Sequence, residues 1–166
     1  MKYTISALVE NKTGVLARIS GLFARRGFNI DSLAVGVTDN ENISRITIVV
    51  SGDEYTADQV TKQLTKLVDV VTVKILNERN IIRRDLILVK IAVKTKQRSE
   101  IIDIARIMGG DIVDISHTTL TIEFDDRAEK VDLLIDLLAP YKIVELVRTG
   151  SIALEKGAGT VYDEID

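Results

Sequence analysis

The 166-residue chain has no cysteine and no tryptophan, one proline and one histidine, His117. Without cysteine there is neither a disulfide framework nor a thiolate nucleophile, and one histidine removes nearly every zinc site and every Ser-His pair with a spare ligand. Aromatic platforms are scarce, at three Phe and four Tyr. The net charge of -3 comes without a sustained basic run, which argues against nucleic acid as a partner. Charges interrupt every apolar stretch well short of the roughly 20 residues a membrane span needs. Met1-Lys2-Tyr3 leads directly into an alternating pattern rather than into the apolar region of a signal peptide. The expectation is a cytoplasmic chain with no membrane and no nucleic-acid partner. Neither a diphosphate-binding loop nor a dinucleotide fingerprint is present, so no catalytic residue, no metal site and no cofactor of its own is expected.

What is abundant is aliphatic. Isoleucine, valine and leucine make up about a third of the residues, enough to bury a core and to offset the entropy of ordering the chain. Tyr3 to Val9 alternates as a half-buried strand and leads into a loop over Glu10 to Gly14. A helix follows, with Val15, Leu16, Ile19, Leu22 and Phe23 on one face and Gly27 as its stop. Ile30 to Val37 and Ile43 to Val50 read as a hairpin around the polar turn Thr38 to Asn42. Thr56 with Gln59 suggests a capping box for a second helix, with Val60, Leu64, Leu67 and Val68 on one face, and Val70 to Leu76 closes the unit as a strand.

The same order then repeats. Leu86 to Val93 is an expected strand, Ser99 to Met108 a helix stopped by Gly109-Gly110, Ile112 to Ile115 and Thr119 to Phe124 are strands, Ala128 to Leu138 a helix, and Ile143 to Val147 a last strand. The fold class is α+β, with two tandem ferredoxin-like βαββαβ domains. The expected boundaries are 1–77 for the first domain, a charged linker at 78–84, 85–156 for the second domain and a flexible tail at 157–166. Each sheet would have one face on two helices and the other open, so a second copy is expected on the open face or the edge, making at least a homodimer.

Little of this carries chemistry. Asp125-Asp126 with Glu129 reads as helix capping, Asp132 with Asp136 as a solvated helix face, and His117 as a turn residue. The loop Asn11 to Gly14 differs, because it feeds a helix start with a glycine in place. The N-H groups of Gly14, Val15 and Leu16 face outward there, the helix dipole favours an anion, and a glycine admits a ligand to the backbone, so a small carboxylate fits. Asn11 offers an amide, and Asn29 offers another if its strand lies beside the loop or belongs to a partner subunit. The competing reading is that Asn11 and Thr13 are caps and Asn29 a turn former.

The run Val9-Glu10-Asn11-Lys12-Thr13-Gly14-Val15-Leu16-Ala17-Arg18-Ile19, continued by Gly21-Leu22-Phe23 and Arg26-Gly27-Phe28-Asn29-Ile30-Asp31-Ser32-Leu33, resembles the small regulatory subunit of acetohydroxyacid (acetolactate) synthase. The likeness continues through Ser44-Arg45 with Thr47, Gln63-Leu64 with Lys66-Leu67, Arg84 with Leu86 to Lys90, and Val147-Arg148-Thr149-Gly150. It implies an N-terminal ACT domain and a dimer holding valine, or another branched-chain amino acid, between facing ACT domains. The Asn11 to Gly14 loop with Val15 and Leu16 would then meet the ligand's carboxylate, and Asn29 and Ile30 of the adjoining subunit its remaining groups. It further implies a separate catalytic large subunit that holds thiamine diphosphate, magnesium and FAD, is activated by this chain, and becomes sensitive to feedback inhibition through it. Two other classes stay open at this stage: a free-standing amino-acid sensor for a different enzyme, and a small enzyme using surface carboxylates.

Overall fold

The computed structural model describes residues 1–164. It divides into two compact units, Met1–Ile82 together with the chain from Ser151 onward, and Arg83–Gly150. In the first unit β1 (Lys2–Glu10), α1 (Val15–Arg26), β2 (Ile30–Val37), β3 (Ile43–Ser51), α2 (Glu54–Leu64) and β4 (Val70–Leu76) form an antiparallel sheet in the order β2-β3-β1-β4. In the second, β5 (Ile81–Ala92) enters from the first unit, and α3 (Arg98–Met108), β6 (Asp111–Ile115), β7 (Thr119–Asp126), α4 (Ala128–Leu138) and β8 (Lys142–Arg148) give the order β6-β7-β5-β8. Both are the ferredoxin-like arrangement read from the periodicity.

Each core follows from two periods meeting. In the first unit Ile5, Ala7 and Val9 of β1 and Ile46, Ile48 and Val50 of β3 face the helices, where Val15, Ile19, Leu22 and Phe23 of α1 and Val60 and Leu64 of α2 cover them. In the second, Ile87, Val89 and Ile91 with Leu120, Ile122 and Phe124 meet Ile101, Ala105, Val131, Leu134 and Leu138. A fully buried Ile or Leu in these layers contributes about 1.5–3 kcal/mol. Gly27, at φ 66, ends α1 with Phe28 N-H bonded back to Phe23 O, and this turn sends the chain into β2.

Several expectations need correction. Leu16 is 44% exposed, because α1 presents Val15 and its i+4, i+7 and i+8 neighbours to the sheet. The cap of α2 is Asp53, whose side chain accepts from Thr56 N-H, and not Thr56. That helix ends at Leu64, which leaves Val68 exposed beyond it. Asp126 accepts from Arg127 N-H and pairs with Lys130, while the α4 N-cap, Arg127, has no side-chain cap. The charged segment 78–84 is no separate linker: Glu78–Asn80 is a 3-10 turn capped by Asn77, and β5 starts at Ile81, whose side chain is buried with Leu76 and Ala153.

The largest departure lies after Gly150. The expected second domain ran to residue 156 and the expected flexible tail covered 157–166, whose last two residues lie outside the described chain. Instead β9 (Ile152–Glu155) pairs with β5, and a 3-10 helix, Val161–Glu164, contacts β1 and β4, so the segment belongs to the first unit. Val161 is buried, and Thr160 donates N-H and hydroxyl to Asp163. An apolar anchor and a satisfied turn hold it. A second copy is therefore not what covers this part of the first sheet; the chain's own end does.

Candidate functional site

The loop between β1 and α1 takes its shape from Gly14, which sits at φ 89 as the N-cap of α1 and contributes no side-chain cap. The first helical bond is Arg18 N-H to Gly14 O, so the amides of Gly14, Val15 and Leu16 precede the helical ladder. Of these, Val15 N-H turns back onto Lys12 O at 3.4 Å, a long contact, and its side chain is buried in the core. Val15 thus anchors the helix start through its amide and its side chain.

Asn11 is tied to the β2–β3 turn on both counts: its N-H donates to Asn42 O at 2.7 Å and its side-chain Nδ2 to Glu41 O at 2.8 Å. Asn11 is therefore no cap of α1. Its side-chain oxygen is an acceptor at the exposed rim of the loop. The cations nearby are matched one to one. Lys12 lies 2.8 Å from Glu10, whose hydrogen bond and charge hold the ammonium above its usual pKa, and Arg18 Nε donates to Asp69 Oδ2 at 2.7 Å. With those charges compensated, the attraction for an anion at this loop rests on the helix start itself, worth about 0.3–2 kcal/mol. The Arg18–Asp69 pair, which sequence reasoning did not single out, orients the first turn of α1.

Asn29 is exposed and Ile30 half-buried against the first core, at the start of β2. They do not meet the loop within one chain. The 12 residues of α1 separate them, roughly 18 Å along its axis. The register agrees: Ile30 pairs with Val50, and Val50 with Tyr3 at the beginning of β1, whereas the loop follows Glu10 at its end. β2 is the edge of its sheet, with Val35 and Val37 47% and 58% exposed. In this eight-residue edge Asp31 is the one charged residue, and neither Lys nor Pro interrupts Ser32 to Val37, which leaves that stretch a ready surface for another strand.

Residues 5–72 match the AHAS small subunit-like ACT domain, and residues 84–157 match the family described as small subunit of acetolactate synthase. The chain is 46% identical over 157 residues to the probable acetolactate synthase small subunit of Archaeoglobus fulgidus, covering 95% of this chain and 98% of that protein. The chain belongs to the acetolactate synthase small-subunit family. The small subunit of Mycolicibacterium smegmatis is 43% identical over 155 residues, covering 93% of this chain and 91% of its own. The crystal structure of the Thermotoga maritima small subunit superimposes with a TM-score of 0.90 at 36% identity, covering 96% and 99%. This membership makes the chain the regulatory, non-catalytic component of acetolactate synthase. Among the described residues no helix is long and apolar enough to cross a membrane, and no group of three or more His, Asp or Glu is placed to hold a metal ion.

Proposed function

We propose that this small subunit forms a homodimer through β2, binds valine or a related branched-chain amino acid between the two ACT domains, and uses that occupancy to inhibit the large subunit it otherwise activates. The observation that carries the reading is the position of Asn11. It holds the turn that follows Val37, so the anion loop lies at the far end of β2 from Asn29. A two-fold pairing of β2 with its copy, antiparallel and centred on the strand, sets Asn29 of one subunit opposite Thr38 of the other, beside the Asn11 to Gly14 loop. Gly14 and Leu16 amides would take the ligand's carboxylate, Asn11 its ammonium, and Asn29 and Ile30 of the other subunit its remaining polar group and side chain.

In this reading thiamine diphosphate, magnesium and FAD belong to the large subunit in the cytoplasm, and this chain contributes none of the reacting groups. Valine regulates by binding one orientation of the paired ACT domains better than another, since equal affinity for both would shift nothing. The test is calorimetric titration of the purified chain with valine, leucine and isoleucine, alone and with large subunit, beside inhibition curves. Binding that tracks inhibition supports the reading. Binding of none of the three, or acetolactate formation by the chain alone, overturns it.

A further inference from the structure

The returning segment crosses the first sheet strand by strand. Ser151 N-H donates to Ser32 Oγ on β2 at 2.8 Å, Arg45 on β3 donates to Ala153 O at 2.8 Å, and Lys74 on β4 donates to Glu155 Oε2 at 2.8 Å and Thr160 O at 3.0 Å. Beyond these, the Val161 helix rests on β1 and β4. The layer beneath is buried and largely polar: Thr4, Ser6, Thr47 and Thr72 accompany Leu8 and Val49 on the face away from the helices. Among the described residues Ser6 Oγ and Arg45 Nε are buried in it without a hydrogen-bond partner. Directed bonds to a polar layer set the position of the strap, and the burial of Ala153 and Val161 anchors it.

Its first bond is placed where β2 is irregular. Ile30 pairs with Val50 and Ser32 with Val49, so Asp31 is an extra residue, a bulge. Without it Ile30 and Ser32 would share a face. With it Ile30 packs on the helix side and Ser32 turns to the strap. Asp31 is itself held by Ser51 Oγ at 2.6 Å and by Lys2. On the other side of the bond, Ser151 is 3% exposed and follows Gly150, at φ 80, the residue at which the chain leaves the second unit. Asn29 and Ile30 are thus two bonded steps from the point where the second unit's chain returns.

We propose that Ser32 is a positioning residue that couples occupancy of the Asn29–Ile30 end of β2 to the Ser151 joint and the strap, a proposal that rests on the amino-acid site described above. The ligand draws on Ile30, the bulge passes the displacement to Ser32, and Ser32 Oγ carries it to Ser151 N-H. Coupling of this kind needs an element that both ends bias, and here the element is the bulge with the Ser32–Ser151 bond beside it.

The test compares wild type, Ser32→Ala, Ser32→Thr and Gly150→Ala, each reconstituted with large subunit, by valine calorimetry, inhibition curves and amide exchange of residues 151–155 with and without valine. Ser32→Ala is expected to bind valine within about threefold of wild type, to lose at least half of the maximal inhibition, and to lose the valine-dependent protection at 151–155. Ser32→Thr, which keeps a hydroxyl, restores both. Gly150→Ala strains the joint without touching β2 and is expected to uncouple in the same way, which covers the case of a misfolded Ser32→Ala. Normal inhibition and protection in a folded Ser32→Ala overturn the coupling alone, as does a parallel loss of binding and inhibition, which would place Ser32 in the ligand site. Absence of binding in wild type overturns the functional reading and the coupling with it.

Discussion

Gly14 and Asn29 stand at opposite ends of α1, the first setting the helix start at φ 89 and the second lying two residues past Gly27, which ends the helix. In the proposed site, two residues so placed would come from different subunits. Mixed dimers test this directly. Gly14→Asp and Asn29→Ala dimers should each bind valine at least tenfold more weakly, since the hydrogen bond to a charged ligand lost at Asn29 is worth about 1.5–3 kcal/mol. A mixed dimer of the two carries both defects in one site and none in the other. Calorimetry on co-refolded protein should recover one full-affinity site per mixed dimer, whereas a site built within one chain would leave both sites impaired.

The carboxylate of Gly14→Asp must be separated from backbone strain. Any L-residue at φ 89 costs about 1–2 kcal/mol, so Gly14→Ala and Gly14→Asp should show similarly lowered melting temperatures. Space is not the difficulty, as a Cβ there would lie 3.7 Å from the Arg18 guanidinium. The affinity for valine should fall further in Gly14→Asp than in Gly14→Ala. Equal loss in the two would mean that backbone geometry and not charge decides binding.

Dimerisation through β2 predicts that Val35→Lys with Val37→Lys, at two exposed edge positions, yields a folded monomer that no longer binds valine. Sedimentation velocity reads the mass and circular dichroism the fold. A double variant that remains a dimer would place the contact elsewhere.

The strap makes the first unit dependent on the far end of the chain. A fragment of residues 1–82 should fail to melt cooperatively, because the layer of Thr4, Leu8, Thr47, Val49 and Thr72 is uncovered, whereas 83–150 should fold alone. In the intact chain Val161→Ala should cost about 1.5 kcal/mol, lowering the melting temperature by roughly 3–6 °C. A stable, cooperative 1–82 fragment would contradict this.

Acid should loosen the strap. Hydrogen bonds from Thr160 N-H and hydroxyl, aided by the charge of Lys74, hold the Asp163 carboxyl below its usual 3.8. A depressed folded pKa means that the contribution is complete above 3.8 and is lost as pH falls through the lowered value. Amide exchange at Thr160 should therefore accelerate only in that acid window, and Asp163→Asn should remove the pH dependence.

Local pattern alone determined the order of elements within the two βαββαβ units and most of the core, because the periods of 2 and 3.6 in runs such as Ile43 to Val50 and Val15 to Phe23 report which side of each element is dry. The candidate site was legible as residue types, with Gly14 at a helix start and Asn29 after a helix stop. Their separation was not, since it depends on α1 running back along the sheet. Three-dimensional packing alone decided that Asn11 belongs to the hairpin turn, that Leu16 faces outward, and that residues 151–164 return to the first sheet. The clues to the strap were short, an alternation over Ile152 to Glu155 and Thr160 three residues before Asp163, and their partners Ser32, Arg45 and Lys74 lie 81–119 residues away in sequence. Hydrogen bonds and burial between residues so distant leave no period in the chain, because each is fixed by where the strands place a single side chain and not by the pattern around it.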